Sequence, residues 1–419
     1  MMPAAAHNPV DTRPHPLLEE AGRFVETLHE AGFGGILNTP MLRAPMLEPL
    51  TGCEVWVKME SLQVTGSFKE RGAYARLANL SPGERQRGVV AASAGNHAQG
   101  VARHGAALGV ETVIFMPRGT PNVKVNATRD LGAKVELAGD NFDETSTLAQ
   151  AWCAEQGCVF IHPFDDPYVL AGQGTVAKEM LEAQPDLDTL VMPVGGGGLA
   201  SGMAMAARRL KPGVELLGVQ AELFPSTHNA FHGREAPVGG VTLAEGIAVR
   251  DPGQMPGHLL RELLDDVLLV DEHGIERALN LYLTRMRVLA EGAGAAGLAA
   301  LLAHPERFKG KKVGLVISGG NIDTRLLSSV LLRDLARSHR LARFRIELLD
   351  VPGQLSAVSE VISVAGGNVT DVAYHKTFSD LPAKVTYIDI SLEAQDGDHM
   401  NQIHDALKSA GFRADYASY

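Results

Sequence analysis

DTLVMPVGGGGLASGMAMAARRL, residues 188–210, sets an unbroken apolar run against four successive glycines and then a helical pattern. An apolar run without alternation is the mark of a strand buried on both faces. Glycines directly after it, leading into a helix, make the strand–turn–helix unit of a parallel sheet. Such a turn gathers backbone N–H groups at a helix N-terminus, where an anion is favoured. A phosphate suits it, and one or two glycines would serve for a turn alone. A second reading stands beside the first. Gly195, Gly197 and Ala200 match G-x-G-x-x-[G/A], and Glu222 lies about 20 residues on, after the next apolar run, as in a dinucleotide site.

The same strand-then-helix alternation extends in both directions. GVVAAS (88–93), ETVIFMP (111–117), AKVELAG (133–139), CVFIHPF (158–164), ELLGVQAE (215–222) and KKVGLVISGG (311–320) read as buried strands, with helical stretches between them. The fold class is α/β with parallel sheets, and ligands are expected at the C-terminal ends of the strands. Near residue 341 the pattern changes. RFRIELLDVPGQLSAVSEVISVAGGNVTDVAYHK, KVTYIDISLEA, DHMNQIHDALKSAG and FRADYAS give β-α-β-β-α-β in about 75 residues, a small α+β module with an antiparallel sheet. The expected division is a loose lead-in over 1–20, a catalytic region of two α/β subdomains over 21–334, a linker at LARSHRLA (335–342) and the module over 343–419.

Composition narrows the classes of function. The 419 residues are 45% hydrophobic and 21% charged, with a net charge of −11, which is ordinary for a soluble globular protein. No block of Lys and Arg suggests a nucleic-acid surface. No apolar run reaches the roughly 18 residues of a membrane span, and the N-terminus lacks the pattern of a secretory signal. Cys53, Cys153 and Cys158 are an odd number without paired spacing, which argues against a disulfide framework and zinc and for thiols in a reducing cytoplasm.

The glycines cluster in four stretches: SAGNHAQG (93–100), GGGGLASG (195–202), EGAGAAG (291–297) and SGGN (318–321). They are expected at strand ends on one edge of a parallel sheet, the third in a helical context. SAGNHAQG offers Ser93, Asn96 and His97 around a turn suited to a carboxylate or a phenolic oxygen. SGGN puts the Ser318 hydroxyl at the end of a very apolar strand. The remaining stretch is TGSFKERG (65–72). Alone it reads as a surface helix start, with Ser67 capping, Phe68 facing in, and Lys69, Glu70 and Arg71 in water. Together, a phosphate cradle, a carboxylate nest, a strand-end hydroxyl and a lysine in a Thr/Ser/Gly turn describe pyridoxal phosphate chemistry. That aldehyde needs a lysine for a Schiff base, and its phosphate needs N–H donors. A nicotinamide-dependent dehydrogenase would use the glycines but leave TGSFKERG and SGGN without a role.

SFKERGAY, SAGNHAQG, GGGGL, EGAGA and SGGNID, in this order, resemble the threonine ammonia-lyases (threonine dehydratases) of the fold-type II pyridoxal phosphate enzymes. The resemblance covers roughly residues 20 to 330. DVPGQL followed by GGNV makes the C-terminal module similar to an ACT domain. The resemblance implies that Lys69 holds the cofactor aldehyde and acts as base on the substrate Cα, and that Phe68 packs beside the ring. Asn96 would bond the phenolic oxygen, Gly195, Gly196, Gly197, Gly198 and Leu199 would bind the phosphate, and Ser318 would face the pyridine nitrogen. Ser93, with the backbone of Ala94, Gly95, Asn96 and His97, would receive the substrate carboxylate. The implied reaction is loss of the β-hydroxyl and of ammonia from L-threonine or L-serine; another 3-hydroxy amino acid, such as 3-hydroxyaspartate, remains open. Related serine racemases carry a second serine where this chain has Ala94, so racemisation is expected to be weak. Some relatives bind a divalent ion through a Glu and an Asp. This chain keeps Glu222 but continues LFPSTH, so no metal is assigned and a monovalent ion stays open. The module is expected to bind an amino acid, such as isoleucine or valine, in a cytoplasmic homodimer or homotetramer.

Overall fold

The computed structural model describes residues 35–375, 382 and 384–417; the expected lead-in lies outside them. The chain divides into two compact units, one through Ile322 and one from Asp323 onward.

The first unit holds two sheets. Its strands are β1 (Met41–Arg43), β2 (Glu54–Met59), β3 (Val89–Ala92), β4 (Thr112–Met116), β5 (Lys134–Leu137), β6 (Val159–Phe160), β7 (Thr189–Pro193), β8 (Glu215–Ala221), β9 (Asp266–Val270) and β10 (Lys312–Ile317). The larger sheet runs β1-β2-β10-β7-β8-β9 and the smaller β5-β4-β3-β6. Every pairing is parallel except β1 with β2. β3, β4 and β7 are buried at every position, as the unbroken apolar runs require when helices cover both faces. SAGNHAQG follows β3, the tetraglycine follows β7 and SGGN follows β10, so three of the four glycine stretches do sit at strand ends.

Three expectations need correction. EGAGAAG does not end a strand; it opens the Gly292–Ala303 helix. The run 158–164 is a strand only over Val159–Phe160. Pro163 has no N–H for a ladder, and the His162 ring turns the chain by accepting from the backbone N–H groups of Phe164 (3.3 Å) and Asp165 (2.7 Å) at Nδ1. The surface reading of TGSFKERG also fails: Glu70 and Arg71 are both 0% exposed.

Arg71 shows why. It lies in the first turns of the Lys69–Ala78 helix, which packs tightly on the Pro167–Ala183 helix. A Cβ on Gly172 would stand 2.4 Å from Arg71 O, and one on Gly72 would stand 2.3 Å from Gln173 Nε2. Only glycine on both sides allows that approach. The guanidinium reaches Glu60, just past β2, through Nε (2.8 Å) and Nη2 (2.8 Å). It reaches Glu179 of the neighbouring helix through Nη1 and Nη2, both at 2.7 Å. Lys58 of β2 pairs with Glu179 at 2.5 Å, so two cations and two carboxylates balance inside the fold. Burial works against the Arg71 charge, but Glu60 and Glu179 hold it above its usual range. Burial also pushes the Glu60 carboxyl up, and Arg71 more than offsets this.

The second unit opens with the Thr324–Arg337 helix, capped by Asp323, whose carboxylate accepts from Arg325 N and Leu326 N. β11 (Leu341–Leu349), β12 (Asn368–His375), β13 (Val385–Glu393) and β14 (Arg413–Tyr416) follow, with the helices Gln354–Val364 and Gly397–Ser409 between them. The order is β-α-β-β-α-β, and the antiparallel sheet runs β12-β13-β11-β14. Phe344, Ile346, Ile362, Ile388, Ile390 and Ile403 anchor its core. Residues 335–342, read as a linker, hold the end of a helix, a turn and the first residues of β11. Among the described residues no helix is long and apolar enough to cross a membrane.

Arg71→Ala would leave Glu60 buried without its ion-pair partner and Glu179 with Lys58 alone. The expected cost is about 3–5 kcal/mol, read as a lower urea midpoint for the first unit. An unchanged midpoint contradicts the anchoring role.

Candidate cofactor and catalytic site

The tetraglycine is held from three sides. A Cβ at Gly195 would stand 2.9 Å from Ile247 Cα, one at Gly196 2.4 Å from the Phe164 ring, one at Gly197 2.7 Å from Pro256 Cβ, and one at Gly198 2.8 Å from Phe164 Cβ. Gly197 caps the Gly198–Leu210 helix at φ +92°. Side chains are excluded, so the turn can offer only peptide groups. The N–H groups of Gly195 through Leu199 find no acceptor among the described residues.

Lys69 starts its helix directly after Phe68. Its Nζ donates to Pro163 O at 2.9 Å and stands 5.1 Å from the centroid of the Phe68 ring. Burial lowers the amine to about 8, against the attraction of Glu291. The loop before it is fixed at several points. Phe68 N donates to Ser318 O at 3.0 Å and Gly320 N to Gly66 O at 3.0 Å. Thr65 N donates to the buried Glu70 carboxylate, which also takes Arg103 Nη1. Thus the two residues that follow the lysine are anchors, Glu70 to the loop before it and Arg71 to Glu60 just past β2 and Glu179 on the neighbouring helix.

Asn96 opens the Asn96–Ala107 helix. Its Nδ2 donates to Glu291 Oε1 (3.0 Å) and Oε2 (3.1 Å), and its Oδ1 accepts from Asn321 Nδ2 at 2.7 Å. Asn321 Nδ2 also donates to Thr65 O at 2.8 Å, linking SAGN, SGGN and TGSF through side chains. Burial pushes the Glu291 carboxyl up to about 7, while donation from Asn96 works the other way. Ser93 Oγ accepts from Gly95 N at 3.1 Å, and Ala94 and Gly95 complete that turn. His97 is buried and donates from Nε2 to Ile161 O at 3.0 Å; burial, with Lys69 adding to it, drops it to about 3. It is a neutral structural imidazole. Ser318, 2% exposed, stands directly after β10.

The structure therefore brings Lys69, Phe68, Asn96 and Ser318 into one linked set. Sequence reasoning assigned no role to Glu291, Asn321, Pro163 or Phe164. Glu291 and Asn321 stood in the quoted EGAGA and SGGN, where a carboxylate ahead of a Gly/Ala helix and an amide after two glycines were the available signals. The Pro163 carbonyl carried no signal, since any residue supplies one.

Pyridoxal phosphate fits these residues. Five unpaired N–H groups at a helix start match a phosphate, and a lysine amine near 8 matches an aldehyde. The hydroxyls of Ser61 and Ser67, in the stretch before Lys69, are buried and find no partner among the described residues, which marks a polar site with bonding capacity to spare. The dinucleotide alternative fares worse, because Glu222 is exposed and the lysine has no part in it.

The comparisons with known proteins agree. The chain is 43% identical over 377 residues to an L-threonine ammonia-lyase of Thermotoga maritima, covering 90% of this chain and 94% of that one. It is 40% identical over 383 residues to an L-threonine ammonia-lyase of Geobacter sulfurreducens, covering 91% and 95%. The solved structure of the processed form of threonine deaminase isoform 2 from Solanum lycopersicum superposes with a TM-score of 0.71 at 35% identity, covering 74% of this chain and 92% of that one. The family model described as pyridoxal-phosphate dependent enzyme matches residues 33–319, and the chain belongs to that family.

Proposed function

We propose that this chain is a pyridoxal phosphate-dependent L-threonine ammonia-lyase, releasing 2-oxobutanoate and ammonia, with L-serine as a further substrate giving pyruvate. The observation that carries the reading is Lys69, an amine lowered to about 8 and linked through one network to the asparagine and serine turns. Identity to threonine ammonia-lyases over some nine-tenths of the chain supports the substrate.

When bound, pyridoxal phosphate supplies an aldehyde for an amine and a ring that draws electrons from the substrate Cα. Gly195 through Leu199 would hold its phosphate, Phe68 would pack beside its ring, Asn96 would bond its ring oxygen, and Ser318 would serve its ring nitrogen. The Ser93 hydroxyl and the N–H groups of 94–97 hold the substrate carboxylate, where the helix start favours negative charge. Lys69 moves the Cα proton, since an amine with a midpoint near 8 can both take and return it. Ser318 would meet the ring nitrogen with a neutral hydroxyl, so this chain would supply no carboxylate there to keep that nitrogen charged. Ala94 carries no proton, so inversion at Cα is weak.

The second unit is read as an ACT-like module that binds a branched-chain amino acid in a homodimer or homotetramer. The Gly366 turn borders a cavity of about 400 Å³ that Asp396, Asp398 and His399 also line. A cytoplasmic setting accords with three free thiols.

Lys69→Ala is expected to lose at least about a hundredfold of threonine turnover, assayed as 2-oxobutanoate. Wild-type protein with cofactor that turns over neither threonine nor serine would move the substrate to another 3-hydroxy amino acid. The rate at which apoprotein captures pyridoxal phosphate should rise with pH through about 8, not through the ordinary lysine range. Glu291→Gln removes the charge that holds the ammonium form up, so its midpoint should fall; a midpoint that stays or rises contradicts the pairing. Calorimetric titration with isoleucine and valine should give heat and altered kinetics, and silence in both would remove the regulatory role.

A further inference from the structure

A helix end brings together two cysteines that the reaction does not use. Cys153 lies in the last turn of the Phe142–Gln156 helix, which stops at Gly157 in the left-handed region, φ +66°, with its N–H on Cys153 O. That conformation suits glycine and reverses the chain in one residue. Cys158 then returns its own N–H to Cys153 O at 3.2 Å. The two sulfur atoms face each other at 3.0 Å, and the Cys153 thiol also donates to Cys158 O at 3.0 Å. A disulfide needs about 2.05 Å, so the sulfurs have about 1 Å left to close. Their exposure is unequal: Cys153 is buried at 7%, while Cys158 is only partly buried.

We infer that Cys153 and Cys158 form a reversible thiol–disulfide site whose oxidant is a low-molecular-weight disulfide. Cys158, the accessible partner, loses its proton to water and its thiolate attacks one sulfur of the oxidant. A mixed disulfide forms and one small thiolate leaves. Cys153, deprotonated in turn, attacks the Cys158 sulfur and expels the second small thiolate. Two protein thiols and one small disulfide give one protein disulfide and two small thiols, the released protons ending on the latter. The protein is oxidised by two electrons and the small disulfide reduced by two. The first step is slow at neutral pH, because burial, together with the Cys153 thiol beside it, pushes Cys158 up to about 12. A slow, stable bridge follows, not a fast peroxide sensor.

The position ties this chemistry to the site. Cys158 immediately precedes β6, which pairs with β3 through Val159 and Phe160. A few residues on, Pro163 O receives Lys69 Nζ and Phe164 covers Gly196 and Gly198. A bridge would pin the start of that short segment to the helix before it.

The test uses the holoenzyme and oxidised glutathione. After incubation and denaturing alkylation, the wild-type chain should have lost two of its three thiols, and peptide mapping should join Cys153 to Cys158. Dithiothreitol should restore both. Cys153→Ser should stop with one glutathione on Cys158, and Cys158→Ser should keep its remaining thiols. Wild-type protein that retains all three thiols, or that carries glutathione on Cys158 without closing the bridge, overturns the inference.

Discussion

The paired charges on Arg71 are the constraint on which the site depends. A guanidinium with no exposure must be met by carboxylates, because an unpaired buried charge costs several kcal/mol. Glu60 and Glu179 come from different elements, one past β2 and the other on the Pro167–Ala183 helix, and both bind in two-point fashion. Two-point contact fixes direction as well as distance. An apolar cluster of equal volume could give as much stability, but it would tolerate sliding. The ionic cluster does not, so the first turn of the Lys69–Ala78 helix has one position relative to the larger sheet. Gly72 and Gly172 make that position reachable, and Glu70 ties the preceding loop to the same frame.

With the lysine fixed, the charges around it follow a simple order. Burial takes the His97 imidazole down to about 3 and also lowers His162. Both rings stay neutral and are occupied with backbone groups, His97 as a donor to Ile161 O and His162 as an acceptor from Phe164 and Asp165. Glu291 and Lys69 are left as the acid and base whose midpoints are drawn toward neutrality from opposite sides. Asn96 and Asn321 tie the carboxyl to the two turns, and the carboxyl acts on the amine through its charge.

The parallel sheets were legible because unbroken apolar runs admit few alternatives, and the glycine turns were legible because four in a row exceed what a turn needs. The lysine was legible only by convergence with these. The fates of Glu70 and Arg71 were not, since charge predicts solvent unless partners are known, and Glu60 and Glu179 lie 11 and 108 residues from Arg71. β2 was missed for the same reason: Lys58 interrupts its apolar pattern and is buried because Glu179, Thr39 O and Asn38 Oδ1 all receive its amine. The Cys153–Cys158 contact escaped because spacing alone does not reveal that Gly157 turns the chain back on itself.

The most direct test of the central claim, that this buried frame exists to present Lys69 to the cofactor, is borohydride reduction of the holoenzyme followed by peptide mass mapping. The account predicts a single phosphopyridoxyl group on the peptide that contains Lys69. A stable label on any other lysine, with Lys69 unmodified, would contradict it.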